Sequence, residues 1–156
     1  MAMQHTPLLM SNILDRGATV APNEEIVTLT ETGVRRQSYR ETRDRAHQLA
    51  HALAGIGIKV GDRVGTFMWN GSRHLEAYHA VAGMGAVLHT LNVRLSPKDL
   101  EYIINHAEDQ IIIVDADVLP LLEVLNGKIP TVRKIIVATE DGFEGWSTGL
   151  PDPVDY

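Results

Sequence analysis

His47 and His51 stand four residues apart, a spacing that puts two imidazoles on one helix face, as in the zinc motif H-E-x-x-H. Gln48 occupies the place of that motif's general base and no third ligand is evident, so a pair of polar residues flanking an apolar stripe explains them as well. His74 and His79 are five apart and face differently. His89 falls near the C-terminal end of an expected strand, where open α/β sheets place their ligands. Lining a pocket and making a structural hydrogen bond are both open to it. Asp115 and Asp117 follow a β-branched run, the place for a phospho-acceptor or a magnesium ligand. A receiver-type site needs a further acidic pair, and Met68, Trp69 and Asn70 offer none. Asp117 as the N-cap of the next helix is the simpler expectation.

Phosphate binding calls for backbone N–H groups converging at a glycine-rich turn into a helix. Gly55, Gly57 and Gly61 have the wrong spacing for G-x-G-x-x-G and follow a helix instead of opening one. Gly83 and Gly85 sit at another helix end. Residues 147–152 resemble a phosphate loop only loosely, without its lysine and with an aspartate where a cation would help. No Ser/His/acid set and no carboxylate pair can be placed together from the sequence.

The elements that would position these groups are plainer. A short amphipathic helix is expected over residues 7–17, stopped by Gly17. Residues 25–30 and 34–38 read as two strands of a hairpin joined through Glu31, Thr32 and Gly33. Ser38 and Glu41 form a capping box, followed by the stripe Ala46, Leu49, Ala50 and Leu53. Strands are expected at 62–68, 86–91, 111–114 and 134–138. Between them lie helices starting after Asn70, at Ser96–Pro97 and near Val118. The run Ile111, Ile112, Ile113, Val114 is that of a strand buried on both faces. The expected fold is therefore α/β, a doubly wound, mostly parallel sheet with helices on both faces, preceded by a β-hairpin. Residues 1–24 are read as an N-terminal helix and linker, and 25–140 as the α/β subdomain. Residues 141–156 show neither periodicity nor a closing element and are expected to be a connector towards a further segment.

Composition narrows the function. In 156 residues the net charge is −6 and basic residues are scattered, which disfavours nucleic acid and anionic membranes as partners. The longest nearly apolar stretch, residues 80–91, is far short of the ~20 that span a bilayer, so no transmembrane segment is expected. The N-terminus lacks a secretory pattern and there is no cysteine; a cytoplasmic protein is the expectation.

From Ser38 onward the sequence resembles the N-terminal part of the acyl-CoA synthetases of the AMP-forming, adenylate-forming superfamily. Residues 37–42 with the 46–53 stripe are similar to the family's opening helix. Residues 57–64, GIKVGDRV, resemble its G-V-x-x-G-D-R-V turn and strand, and Asn70 and Glu76 follow. Residues 83–97, GMGAVLHTLNVRLSP, resemble its G-A-V…L-N-x-R-L stretch, in the form seen in medium- and long-chain fatty acyl-CoA synthetases.

The resemblance implies an N-terminal fragment of a larger domain in a two-step ligase using ATP, Mg2+ and CoA. A fatty acid carboxylate attacks the ATP α-phosphate, and the CoA thiol then displaces AMP from the acyl-adenylate. The family's phosphate loop and C-terminal domain have no counterpart in these residues. The chain is therefore expected to be inactive alone, with no catalytic or metal-ligating residue and no tight cofactor binding. Arg94 matches an arginine of a loop near the CoA nucleotide in some members, and a guanidinium suits its phosphates. A solvated arginine before the Pro97 helix is the alternative. His89 and Thr90 are placed towards the substrate channel, and a homodimer is expected. Two other readings compete. One is a free-standing dimerisation or regulatory module without catalysis. The other is a flavodoxin-type binding domain, for which no phosphate cradle speaks.

Overall fold

The computed structural model describes residues 9–30, 33–139 and 153–155. Twelve elements follow in chain order: α1 Met10–Val20, β1 Glu25–Thr30, β2 Gly33–Ser38, α2 Tyr39–Gly55, β3 Arg63–Phe67, α3 Ser72–Gly83, β4 Val87–Thr90, α4 Pro97–Ala107, β5 Ile111–Asp115, α5 Leu119–Glu123, β6 Lys134–Ala138 and β7 Pro153–Asp155. β1 and β2 form the antiparallel hairpin, with Thr30 opposite Gly33. The remaining strands make one parallel sheet in the order β4-β3-β5-β6-β7. This is the doubly wound arrangement expected from the alternation of strands and helices.

Two apolar layers enclose the sheet, and the alternation along β5 shows why. Ile111 and Ile113 point into a core with Leu14 of α1, Leu53 of α2 and Val81 of α3. Ile112 and Val114 point into the other, with Ile104 of α4 and Leu122 of α5. α2 starts at the anticipated capping box: Ser38 Oγ accepts from the Glu41 N–H, and Glu41 reaches back to the Ser38 N–H at 2.8 Å. α4 starts at Ser96, whose hydroxyl accepts from Asp99 N, with Pro97 in the first turn.

Four expectations are corrected. α1 runs through Gly17 to Val20, because Gly17 is a contact point and not a stop. A Cβ there would lie 3.3 Å from the Tyr39 ring. The hairpin loop is shorter than the three residues expected: Gly33, with φ +140°, is already paired in β2. Asp117 does not cap the following helix. α5 is a five-residue helix preceded by Val118 with no side-chain cap, and the Asp117 carboxylate accepts from the Trp69 indole N–H instead. Finally, the segment expected to carry no further element contributes β7, whose Val154 pairs with Ile136 of β6. The phosphate-loop resemblance at residues 147–152 lies outside the described residues.

Two of the helices on the first face, α2 and α3, are tied to the hairpin by a polar bridge. Glu76 of α3 is fully buried, and its carboxylate accepts from Arg45 Nε of α2 at 2.8 Å and from Gln37 Nε2 of β2 at 2.7 Å. Gln37 also donates to Thr42. One buried acid thus joins β2, α2 and α3.

Candidate functional site

In an open parallel sheet, the strand order reverses where the chain leaves one side and resumes on the other, and ligands collect at the carboxyl ends of the strands there. Here the chain goes from β3 outward to β4, then crosses back to β5 on the far side of β3. The switch point is therefore β3/β5. A crevice of about 510 Å³ opens above it, walled by the hairpin, the N-terminus of α3 and the ends of β5 and β6.

Trp69, just past β3, is the centre of this crevice. Its backbone N–H donates to Asp115 Oδ2 and its indole Nε1–H to Asp117 Oδ2, both at 2.7 Å. The ring is thus held at both ends while remaining 45% exposed. His74 supports it from behind. Nδ1 lies 3.2 Å from the Trp69 carbonyl and Nε2 3.0 Å from Thr66 Oγ1. A carbonyl only accepts, so the proton is on Nδ1, and neutral Nε2 accepts from the threonine.

Burial pushes the His74 pKa down, opposed by the Trp69 carbonyl. Burial also lowers that of His79, opposed by the Met10 backbone and Asp15. Both imidazoles are depressed below the unfolded value of about 6.5, so the unfolded chain takes up protons first as pH falls. Stability is accordingly expected to be full above pH ~6.5 and to decline below it, through the depressed folded values. Urea midpoints between pH 7 and 5 check this, and His74→Gln should flatten the slope. An unchanged slope in that variant and in His79→Gln would refute the assignment.

The second cluster is at the sheet's edge. His89 of β4 is half-buried, and its Nδ1 donates to Asp109, whose carboxylate is fully buried at 2.8 Å. Burial raises the Asp109 pKa, against the lowering effect of His89 and Arg63. Thr90 ends β4 exposed. Beyond it, Asn92 Oδ1 accepts from the Arg94 N–H at 2.9 Å, a local turn that presents Arg94 to solvent ahead of α4. His89 and Thr90 are therefore consecutive with the Arg94 turn, but none of the three lines the crevice at β3/β5.

His47 and His51 do share a face, lining a groove of about 350 Å³ between α1, α2 and α3 together with His79. Among the described residues no three His, Asp or Glu converge as metal ligands. Asp115 and Asp117 do come together, but around Trp69. Sequence reasoning passed over Trp69, Ser72 and Thr28 because strand order is not written in local pattern. The available signal was their position directly after or opposite a central strand.

The chain matches the family described as AMP-binding enzyme over residues 14–153. It is 46% identical over 145 residues to the long-chain-fatty-acid–CoA ligase of Thermus thermophilus, covering 92% of this chain and 27% of that protein. It is 40% identical over 136 residues to the 3-methylmercaptopropionyl-CoA ligase of Ruegeria pomeroyi, covering 86% and 25%. The chain thus spans about a quarter of the length of these curated relatives. Among solved structures, an anthranilate CoA ligase in complex with anthranoyl-AMP superposes with a TM-score of 0.80 at 26% identity, over 96% of this chain and 29% of that one.

Proposed function

The chain belongs to the AMP-binding enzyme family, and on that premise we propose that it is the N-terminal segment of an AMP-forming fatty acyl-CoA ligase. In the whole enzyme a fatty acid and ATP give an acyl-adenylate and pyrophosphate, and the thiol of CoA then takes the acyl group as AMP leaves. The two relatives above act on a long fatty acid and on a short thioether acid, yet resemble this segment almost equally. The acyl pocket is therefore assigned to residues outside it. In the same reading, the ATP–Mg2+ machinery lies outside these residues as well.

What this segment contributes, in our reading, is part of the CoA nucleotide site. The observation that carries it is the Asn92–Arg94 turn beyond the carboxyl end of β4: the Asn92 side chain accepts from the Arg94 backbone N–H, and Arg94 is exposed. Thr90 stands beside it as a channel residue, while His89 acts on the position of β4 through Asp109. We further assign residues 25–140 to the α/β subdomain and the protein to the cytoplasm as a homodimer. No helix among the described residues is long and apolar enough to cross a membrane.

In the full-length ligase, Arg94→Ala should raise the KM for CoA about tenfold or more, the loss of one charge-assisted phosphate contact of about 1.5–3 kcal/mol. Acyl-adenylate formation, followed as pyrophosphate release, should be unchanged. Titration of this chain with ATP–Mg2+ and with CoA gives the complementary test. Stoichiometric ATP binding by the segment would contradict the placement of the adenylation machinery elsewhere. A full-length protein that releases no pyrophosphate with any carboxylate would favour the non-catalytic module.

A further inference from the structure

We propose that Asp15 of α1 with His47 and His51 of α2 forms a surface site for a divalent transition-metal ion of the zinc class, and that the bound ion clamps α1 onto α2. The site lies apart from the β3/β5 crevice and from the Arg94 turn, and the ligase reading does not call for it.

Three observations carry the assignment. First, His47 and His51 are one helical turn apart, both are exposed, and both line the groove between α1, α2 and α3. At that spacing the Cβ atoms stand about 5–6 Å apart, so two imidazoles can close on one ion from a single helix. Second, a carboxylate reaches the pair from another helix. Asp15 Oδ1 stands 3.7 Å from His47 Nε2, too far for a hydrogen bond. A zinc ion bonded at about 2.1 Å to each atom, at a tetrahedral angle, would hold them about 3.4 Å apart. The gap is thus nearly that of two ligands of one ion, and closing it disturbs little packing, because Asp15 is 47% and His47 58% exposed. Third, the described residues lining this groove include no lysine or arginine, so no fixed cation in its wall competes for the carboxylate.

As the side chains stand, the three groups do not yet converge. Asp15 and His47 are in place, and the ion draws in His51, whose exposed ring changes rotamer freely. His79 borders the groove from α3, but its Nδ1 is buried and no bond to the ion is assigned to it. Two imidazoles and one carboxylate suit zinc, whereas magnesium and calcium prefer oxygen donors throughout. The structural consequence falls on α1, which starts at Leu9 without a side-chain cap and buries only Leu14 and Ala18. An ion tied to Asp15 gives this lightly anchored helix a second hold on α2.

The test uses the whole chain without an affinity tag, titrated calorimetrically with zinc chloride against a background of millimolar magnesium. One zinc ion is expected per chain. The imidazole NMR signals of His47 and His51 should shift, and amide exchange along α1 should slow. His47→Gln and His51→Gln should each weaken zinc about tenfold or more. Asp15→Ala should weaken it as well and abolish the slowing of exchange in α1. His106→Gln, on α4 at the other face of the sheet, should bind like the parent. Zinc should also raise the urea midpoint of the parent and leave that of His51→Gln where it is. Any of four results overturns the proposal: no stoichiometric zinc, either α2 histidine variant binding like the parent, an equal loss in His106→Gln, or α1 exchange unaltered by zinc.

Discussion

Replacing Arg45 by methionine should destabilise the fold by about 3 kcal/mol, a large share of the ~5–15 kcal/mol typical of a domain. The argument rests on asymmetry. The Glu76 side chain is 1% exposed while Arg45 is 44% exposed, so the guanidinium can be rehydrated when the pair is broken but the carboxylate cannot. Methionine keeps the alkyl packing and removes the charged donor, while the neutral Gln37 donor to the buried carboxylate stays. Solvent access to Arg45 puts the expected cost at the lower end of the range for a broken buried pair. The double variant Arg45→Met, Glu76→Leu should recover most of the loss, because the charge that suffers is gone and Gln37 still has Thr42. Urea denaturation of the two variants and the parent decides it. A double variant no more stable than Arg45→Met would mean that the acid is needed for the hairpin to dock on α2 and α3 at all.

That bridge also marks the limit of what the sequence discloses. Glu41 three residues after Ser38, Pro97 after Ser96 and the β-branched run at 111–114 each signal through near neighbours. Capping, helix entry and two-sided burial were all readable from them. Glu76 enters the sequence reading only as a point of family resemblance in α3, with no structural role attached. Its partners lie 31 and 39 positions away, and nothing local announces them. Gly17 and Asp117 fail for the same reason. Each has a local role that fits, a stop and a cap, and each is diverted by a distant aromatic ring, Tyr39 in one case and Trp69 in the other. Long-range contacts override short-range propensity wherever a side chain has two acceptable uses.

The site was legible by halves. Arg94 sits in a contiguous stretch whose resemblance implies a role, so it could be singled out from the sequence, whereas the turn with Asn92 could not. The crevice is assembled from β1, β2, α3 and the ends of β3, β5 and β6, and its location follows from strand order. Alternating strands and helices imply a parallel sheet but leave open which strand lies in the middle. Once β3 is known to be flanked by β4 and β5, Trp69 and Asp115 become neighbours, and the carboxylates take on a partner instead of a ligand.

The edge cluster and the core meet at Gly65, which makes it the position where a steric change should reach the Arg94 turn. Gly65 lies in β3, opposite His89 on one side and Ile112 on the other. A Cβ there would stand 3.1 Å from Ile112 Cγ1 and 3.3 Å from both Asp109 Oδ2 and Leu91 Cδ1. Ile112 and Asp109 are fully buried and Leu91 nearly so, so none can retreat into solvent. Valine adds two further methyls to this contact and should cost about 3 kcal/mol, at the upper end for overpacking. Alanine should cost clearly less. Asp109, whose carboxylate is tied to His89, should yield first and carry β4 with it. Gly65→Val is therefore expected to lower the urea midpoint and to weaken CoA binding together. Arg94→Ala, by contrast, is expected to weaken CoA binding and leave the midpoint where it is. A Gly65→Val protein with a reduced midpoint and unaltered CoA affinity would show that the His89–Asp109 pair holds the strand without setting the loop beyond it.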